Sequence, residues 1–205
     1  MDNDNAPRLI LASGSKARRA MLQSAGVVCD VVIADVDEES IKAAMISESD
    51  CVEAADVATV LAAEKALSIA NANPGCYVIG SDQVLALGRR MFSKAKTMDE
   101  ARETLDILRG RTHELVSAVA IARNNEIIWH AVDTAVMTMR HFTNEYLDTY
   151  LSEAGPNALN AVGCYEIEGM GVHLFSKVEG DYFTVLGMPL LPLLEQLRHF
   201  AVVKS

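Results

Sequence analysis

Two long, largely apolar stretches, "THELVSAVAIAR" (112–123) and "EIIWHAVDTAVMTM" (126–139), are separated only by Asn124-Asn125. Asparagine tolerates the positive φ that the tightest strand-to-strand turn demands, so the spacing predicts a hairpin of two long strands. A hairpin of that length commits the chain to a sheet. The rest of the sequence supplies helices that alternate with further strands, which makes an α/β unit.

Near the start, "RLILA" (8–12) reads as a short strand that ends at Ser13-Gly14-Ser15. "KARRAMLQSAG" follows as a helix capped by Ser15 and stopped by Gly26. "VVCDVVI" (27–33) is a second strand candidate, with the acidic stretch "ADVDEES" directly after it. From Val52 to Asn71 the Ala- and Leu-rich pattern, with apolar residues at Val57, Val60, Leu61 and Leu67, predicts a long helix that Asn73-Pro74-Gly75 ends. "YVIGSDQVL" (77–85) predicts a strand on either side of Asp82, and Gly88-Arg89-Arg90 turns the chain back through Met91 and Phe92. Thr97 to Glu100 is a capping box opening "MDEARETLDILR", with Gly110 as its stop. "TNEYLDTYLSEA" is a short helix closed by Gly155-Pro156, and an irregular glycine-bearing segment, "NALNAVGCYEIEGMG", comes next. The strand "VHLFSKV", the turn Glu179-Gly180-Asp181, a short strand and a helix begun by Pro189 complete the chain. No linker, repeat or low-complexity tract divides it, so 205 residues make one domain, or one domain in two lobes.

The formal net charge of −10 argues against a general nucleic-acid binder, which needs a basic face to displace phosphate counterions. A single nucleotide needs only a few local cations and is not excluded. Cys29, Cys51, Cys76 and Cys164 are widely spaced, with no metal-ligand interval, and read as reduced, mostly buried thiols. The N-terminus carries acids where a signal peptide needs bases, and no run approaches the ~18 to 20 apolar residues of a membrane span. A cytoplasmic protein is expected.

Several places could carry chemistry. Ser13-Gly14-Ser15 leads into a helix bearing Arg18 and Arg19, so backbone N–H groups, two hydroxyls and two guanidiniums could cradle an anion; Ser-capped helices with exposed arginines are also common. The Walker A and G-x-G-x-x-G spacings are absent. "DVDEE" (35–39) offers carboxylates to a hard cation such as Mg²⁺, or is a solvated acidic loop. Asp-x-Asp after a strand also opens the site of phosphatases with an aspartyl nucleophile, but Glu39 stands where those carry Thr or Val. Lys65 and Lys94 are either surface lysines or neutralisers of phosphate charge. Asp82 either closes a turn or orients a water or a metal at a strand end. Glu168, between Ile167 and Gly169, is a surface residue or an acceptor for the donor edge of a base such as guanine.

Taken together, "LILASGSKARRAMLQSAGV", "DVDE", "LAAEKA", "IGSDQV", "FSKAKT", "GCYEIEGMGVHLF" and "VEGDYFTVLGMPLLPL" resemble the Maf family of nucleotide pyrophosphatases, in register from Leu9 to about Leu194. The blocks "ASxSxxRRxxL", "GSDQV" and "EGxGxxLF" are similar to the branch that acts on 7-methyl-GTP. The branch for dTTP and UTP has Thr after the Asp and Gln at the place of Glu168. The resemblance implies a Maf/ITPase-like α/β fold, a mixed sheet in two lobes around a central cleft. It also implies hydrolysis of a nucleoside triphosphate to monophosphate and pyrophosphate with a divalent cation, Mg²⁺ or Mn²⁺. On it, Asp82 is the general base. Ser13, Arg18, Lys65 and Lys94 hold phosphate, Glu38 and Asp82 hold metal, and Ala17, Gln83 and Glu168 separate substrates. No nucleic-acid polymer or membrane partner is implied, and a homodimer is among the expected assemblies. A nucleotide-binding regulator of cell division, as members of this family have been described, and a dTTP/UTP pyrophosphatase are the alternatives. The chain departs from the pattern at Lys16-Ala17, where Pro followed by Arg or Trp is usual, and at "FSKAK", which lacks Gly-Lys-Pro.

Overall fold

The structure is a computed structural model that describes residues 7–48 and 51–204; the acidic N-terminus, residues 1–6, lies outside them. Strands β1 (Leu9–Ala12), β2 (Asp30–Val31), β3 (Tyr77–Leu87), β4 (Arg90–Phe92), β5 (Thr112–Arg123), β6 (Glu126–Met139) and β7 (Phe175–Glu179) join in one seven-stranded sheet, ordered β2-β1-β3-β5-β6-β7 with β4 paired to β3. β1 is parallel to both its neighbours and every other pairing is antiparallel, so the sheet is mixed. The helices are α1 (Lys16–Ser24), α2 (Glu38–Glu48), α3 (Ala54–Ala70), α4 (Met98–Leu108), α5 (Asn144–Ala154), α6 (Tyr182–Val185) and α7 (Leu190–His199).

The predicted punctuation holds where local chemistry decides. Asn124 and Asn125 sit at φ 50° and 66°, as the tight turn between β5 and β6 requires. Ser15 accepts from the Arg18 N–H at 3.4 Å to cap α1, and Thr97 caps α4 through the Glu100 N–H at 3.2 Å. The Glu100 carboxylate reaches back to the Lys96 N–H, one residue before the cap, rather than to Thr97 itself.

Four expectations need correction. The second strand shrinks to Asp30–Val31, because this exposed edge offers little for its valines to pack on. The acidic stretch does not stay a loop: Asp37 accepts from both the N–H and the hydroxyl of Ser40 and starts α2. Asp82 does not separate two strands; β3 runs unbroken through it because β5 pairs with every residue from Val78 to Ala86. The strand expected at "VHLFSKV" starts only at Phe175, after a 3₁₀ turn over Met170–Leu174, and the short strand after Asp181 is instead α6.

Packing divides by face. On one face, Val57, Ala58, Leu61 and Ala62 of α3 pack on Val84, Val116, Ala118 and Ala120. The opposite face carries Leu9, Leu11, Ile79, Val119 and Ile121 under α1 and α7, and Leu85, Leu115 and Met137 under α4 and α5. Each fully buried Leu or Ile contributes roughly 2 kcal/mol. The approach of α3 to the sheet is close because Gly80 has no side chain: a Cβ there would lie 2.1 Å from the carbonyl oxygen of Ala62.

Candidate active site

The edge of β3 has a gap. β1 leaves it at the pair Ala12–Gly80 and β4 joins only at Leu85–Phe92, so among the described residues no strand covers this edge over residues 81–84. The Ser13-Gly14-Ser15 turn lies at the β1 end of that gap and "FSKAK" follows β4 at the other. Asp82 therefore sits in mid-strand, buried to 5 % exposure, yet beside an opening.

Side chains alternate across a strand, so Asp82 shares the α3 face with Gly80 and Val84, while Ser81 and Gln83 point to the other. Lys65 continues the stripe by which α3 packs on the sheet, three residues after Ala62 and next to Ala66, which places its ammonium over Asp82. The Lys65 Nζ donates to Asp82 Oδ1 at 2.5 Å and to Glu38 Oε1, from the first turn of α2, at 2.7 Å. Two carboxylates from separate elements are thus held within two hydrogen-bond lengths of each other by one cation. Burial by itself would raise the Glu38 carboxyl, but the Lys65 hydrogen bond and the charges of Lys65, Lys42 and Lys94 carry it below the usual range.

Arg18 reaches into the gap from α1. Its Nη1 donates to the Ser81 carbonyl at 2.8 Å and more weakly to Ser13 Oγ at 3.4 Å, while Nε donates to the Gly187 carbonyl at 2.8 Å. One guanidinium therefore satisfies an edge carbonyl of β3 and ties down the turn after α6; its Nη2 makes no hydrogen bond among the described residues. Desolvation lowers the Arg18 guanidinium, opposed by the charges of Asp82 and Glu38. Lys94 belongs to the same field. Its side chain is exposed in surface terms, yet surrounding protein still desolvates the ammonium, and this with the charges of Arg18 and Lys65 lowers it against the pull of Glu38 and Asp82. A cavity beyond it, lined by Lys94, Arg90, Lys96, Glu39 and Glu100, opens outward.

The structure brings Ser13, Arg18, Glu38, Lys65, Asp82 and Lys94 into one electrostatic neighbourhood and leaves Asp35 exposed outside it. Arg19 is also exposed, so only one of the two arginines serves the gap. Ala17 is half-buried on α1. Gln83 lies on the far face, where its Nε2 donates to Ser117 Oγ at 3.0 Å and to the carbonyls of Thr184 at 3.0 Å and Val185 at 3.1 Å. Glu168 is exposed and accepts from the Tyr182 hydroxyl at 3.4 Å. The sequence reading overlooked Ser81 and Ser117, which hold α6 and the turn after it through the carbonyls of Thr184 and Gly187. The signal that was available is Asp181, whose carboxylate accepts from the N–H groups of Phe183 and Thr184 and so starts a helix.

Among the described residues, no three His, Cys, Asp or Glu groups stand close enough to hold an ion between them. The Glu38–Asp82 pair can supply two ligands, which suits Mg²⁺, a cation commonly bound by one or two carboxylates with water and substrate phosphate making up the rest.

Residues 8–200 match the family model described as Maf-like protein. A 7-methyl-GTP pyrophosphatase of Rhizobium meliloti (strain 1021) is 44% identical over 199 residues, which is 97% of this chain and 99% of that one. A nucleoside triphosphate pyrophosphatase of Granulibacter bethesdensis is 46% identical over 191 residues, 93% of this chain and 96% of that one. A solved dITP/XTP pyrophosphatase from Mycobacterium abscessus is 15% identical, covers 95% of each chain and has a TM-score of 0.40, a likeness on which the fold assignment does not rest.

Proposed function

The chain belongs to the Maf-like protein family, and on that premise we propose that it hydrolyses a nucleoside triphosphate to the monophosphate and pyrophosphate, with 7-methyl-GTP as the preferred substrate. The observation that carries the reading is the Asp82–Lys65–Glu38 cluster at the uncovered edge of β3, with Arg18 and Lys94 around it. Cleavage of a phosphoanhydride needs an in-line water and neutralisation of charge, with little covalent chemistry by the protein. Asp82 is the acceptor for the proton of that water. Lys65, released from one carboxylate as phosphate arrives, joins Lys94 and the Nη2 of Arg18 in meeting the phosphate oxygens, and Ser13 adds a hydroxyl. Glu38 and Asp82 are the residues that would hold Mg²⁺ or Mn²⁺; when bound, the cation neutralises phosphate charge next to the water. Relatives named as 7-methyl-GTP pyrophosphatases at this identity support the base preference, with Glu168 as the carboxylate that favours a positively charged purine. A cytoplasmic location fits a free-nucleotide substrate.

The test is a substrate panel scored for pyrophosphate with Mg²⁺ or Mn²⁺ present. 7-methyl-GTP should be turned over well ahead of GTP, dTTP, UTP and ATP. Equal trace activity on all five removes the base assignment, and orthophosphate as the only product removes the reaction.

A further inference from the structure

Gln83 follows Asp82 in sequence, but its amide faces away from the charged cluster and is engaged within the protein. The two hydrogens of its Nε2 are shared among Ser117 Oγ and two carbonyls of α6. These partners also orient the amide, since carbonyls can only accept. Other side chains converge on the same short helix. Ser117 Oγ donates to the Thr184 carbonyl at 2.8 Å, Thr184 Oγ1 donates to Asp133 Oδ2 at 2.7 Å, and Ser81 Oγ and Arg18 Nε both donate to the Gly187 carbonyl. Gly187 turns the chain out of the helix at φ 104°. A four-residue helix has no stability of its own, so these contacts fix where it points.

At the first position of this pinned helix stands Tyr182, with 55 % of its surface exposed and its hydroxyl on Glu168. An aromatic ring so exposed has little to gain from its own packing; among the described residues its aromatic neighbour is Phe183, met edge-on. The same short element is tied at its other end to Arg18, through the Gly187 carbonyl five residues on, so one element positions both the ring and a guanidinium of the charged site. A tyrosine face beside a carboxylate is the surface that a cationic, hydrogen-bond-donating purine ring recognises, through cation–π attraction and charge together.

We propose that Tyr182 is a specificity-determining residue that stacks on the N7-methylated guanine, and that Gln83 acts on base selection as a positioning residue, through α6, without touching the base. The inference rests on the substrate reading above and deepens it. It makes the pair Tyr182–Glu168 one recognition unit whose placement is set from the sheet.

The experiment is steady-state kcat/KM for 7-methyl-GTP and GTP, with calorimetric binding of 7-methyl-GMP and GMP, in the wild type, Tyr182→Ala, Tyr182→Phe, Gln83→Ala and the double variant Gln83→Ala/Tyr182→Ala. Thermal midpoints of all five report on folding. Tyr182→Ala should lower the preference for the methylated base about tenfold, Tyr182→Phe should keep most of it, and Gln83→Ala should lower it while the double variant falls no further than Tyr182→Ala alone. An unchanged preference in Tyr182→Ala overturns the stacking role. Multiplying effects in the double variant overturn the positioning role of Gln83. Because 7-methyl-GMP binding needs no turnover, a wild type that binds it selectively but releases no pyrophosphate refutes the enzymatic reading and leaves the Tyr182 result decisive. A wild type without preference for 7-methyl-GMP overturns the inference itself.

Discussion

Asp82 and Gln83 are neighbours in β3, and the two faces they open onto are built from different chemistry. On the α3 face the polar groups are charged and answer one another: Asp82 and Glu38 share the Lys65 ammonium with Lys94 in the same field, and Arg18 reaches that field through the gap from α1 on the other side. On the other face the interior polar groups are mostly neutral. Gln83 donates to Ser117, and both donate to carbonyls of α6, while farther along β5 the imidazole of His113 meets the hydroxyl of Tyr165 at 2.7 Å. Charges clustered at an opening are expensive to keep unless they meet a ligand's charges, whereas neutral hydrogen bonds in an interior specify one packing. On the proposed function, the first face serves the reaction and the second sets shape.

The hardest test of that division is Asp82→Asn. If the charged face carries the reaction, turnover of the preferred triphosphate falls by about 10² or more. Stability should change far less, by about 1–2 kcal/mol, because Lys65 keeps Glu38 as a partner at the mouth of the gap. Pyrophosphate release and urea unfolding on the same preparation read both numbers. Full activity in this variant, or a collapse of the fold, breaks the comparison.

The second test lies on the neutral face and turns on pH. His113 is 1 % exposed, its Nδ1 has no hydrogen-bond partner among the described residues, and burial pushes its pKa down from the ordinary 6.5 to about 4. The unfolded chain therefore takes up the proton first as pH falls, and the folded state loses ground. The contribution of the neutral imidazole is complete above about pH 6.5 and is lost progressively as pH falls toward 4, on the order of 3 kcal/mol in all. Unfolding free energies measured from pH 7.5 to 4 should show this slope, and His113→Phe should flatten it. A slope that survives in His113→Phe would mean the acid sensitivity belongs to other groups.

How much of this was legible in the sequence follows the same division. Local sequence leaves Asp82, Lys65, Glu38 and Arg18 each with a structural alternative; the family resemblance is what names them as one site, and the structure brings them together. Capped helices and the Asn-Asn turn were readable because they are decided within a few residues. What escaped is what only pairing decides. Nothing local says that β5 carries β3 straight through Asp82, or that "YFTV", with its β-forming residues, becomes a helix once Asp181 caps it and the side chains of Gln83 and Ser117 hold its carbonyls. The engagement of Gln83 with α6 was hidden for the same reason, since its partners lie 34 to 102 residues away in sequence.

The smallest expected effect is also the one that separates shape from chemistry most finely. Thr184 is fully buried, and its hydroxyl donates to Asp133, which is exposed. Thr184→Val keeps the volume of the side chain and removes that single bond. Asp133, open to solvent, is rehydrated rather than left unpaired, so the loss should be about 1 kcal/mol, the net worth of one hydrogen bond and not the larger penalty of an orphaned buried group. The midpoint of urea unfolding would move by that amount with an unchanged slope if two-state folding persists. A loss several times larger would mean that Asp133 is an electrostatic anchor of α6, and the face described as neutral would then depend on a charge after all.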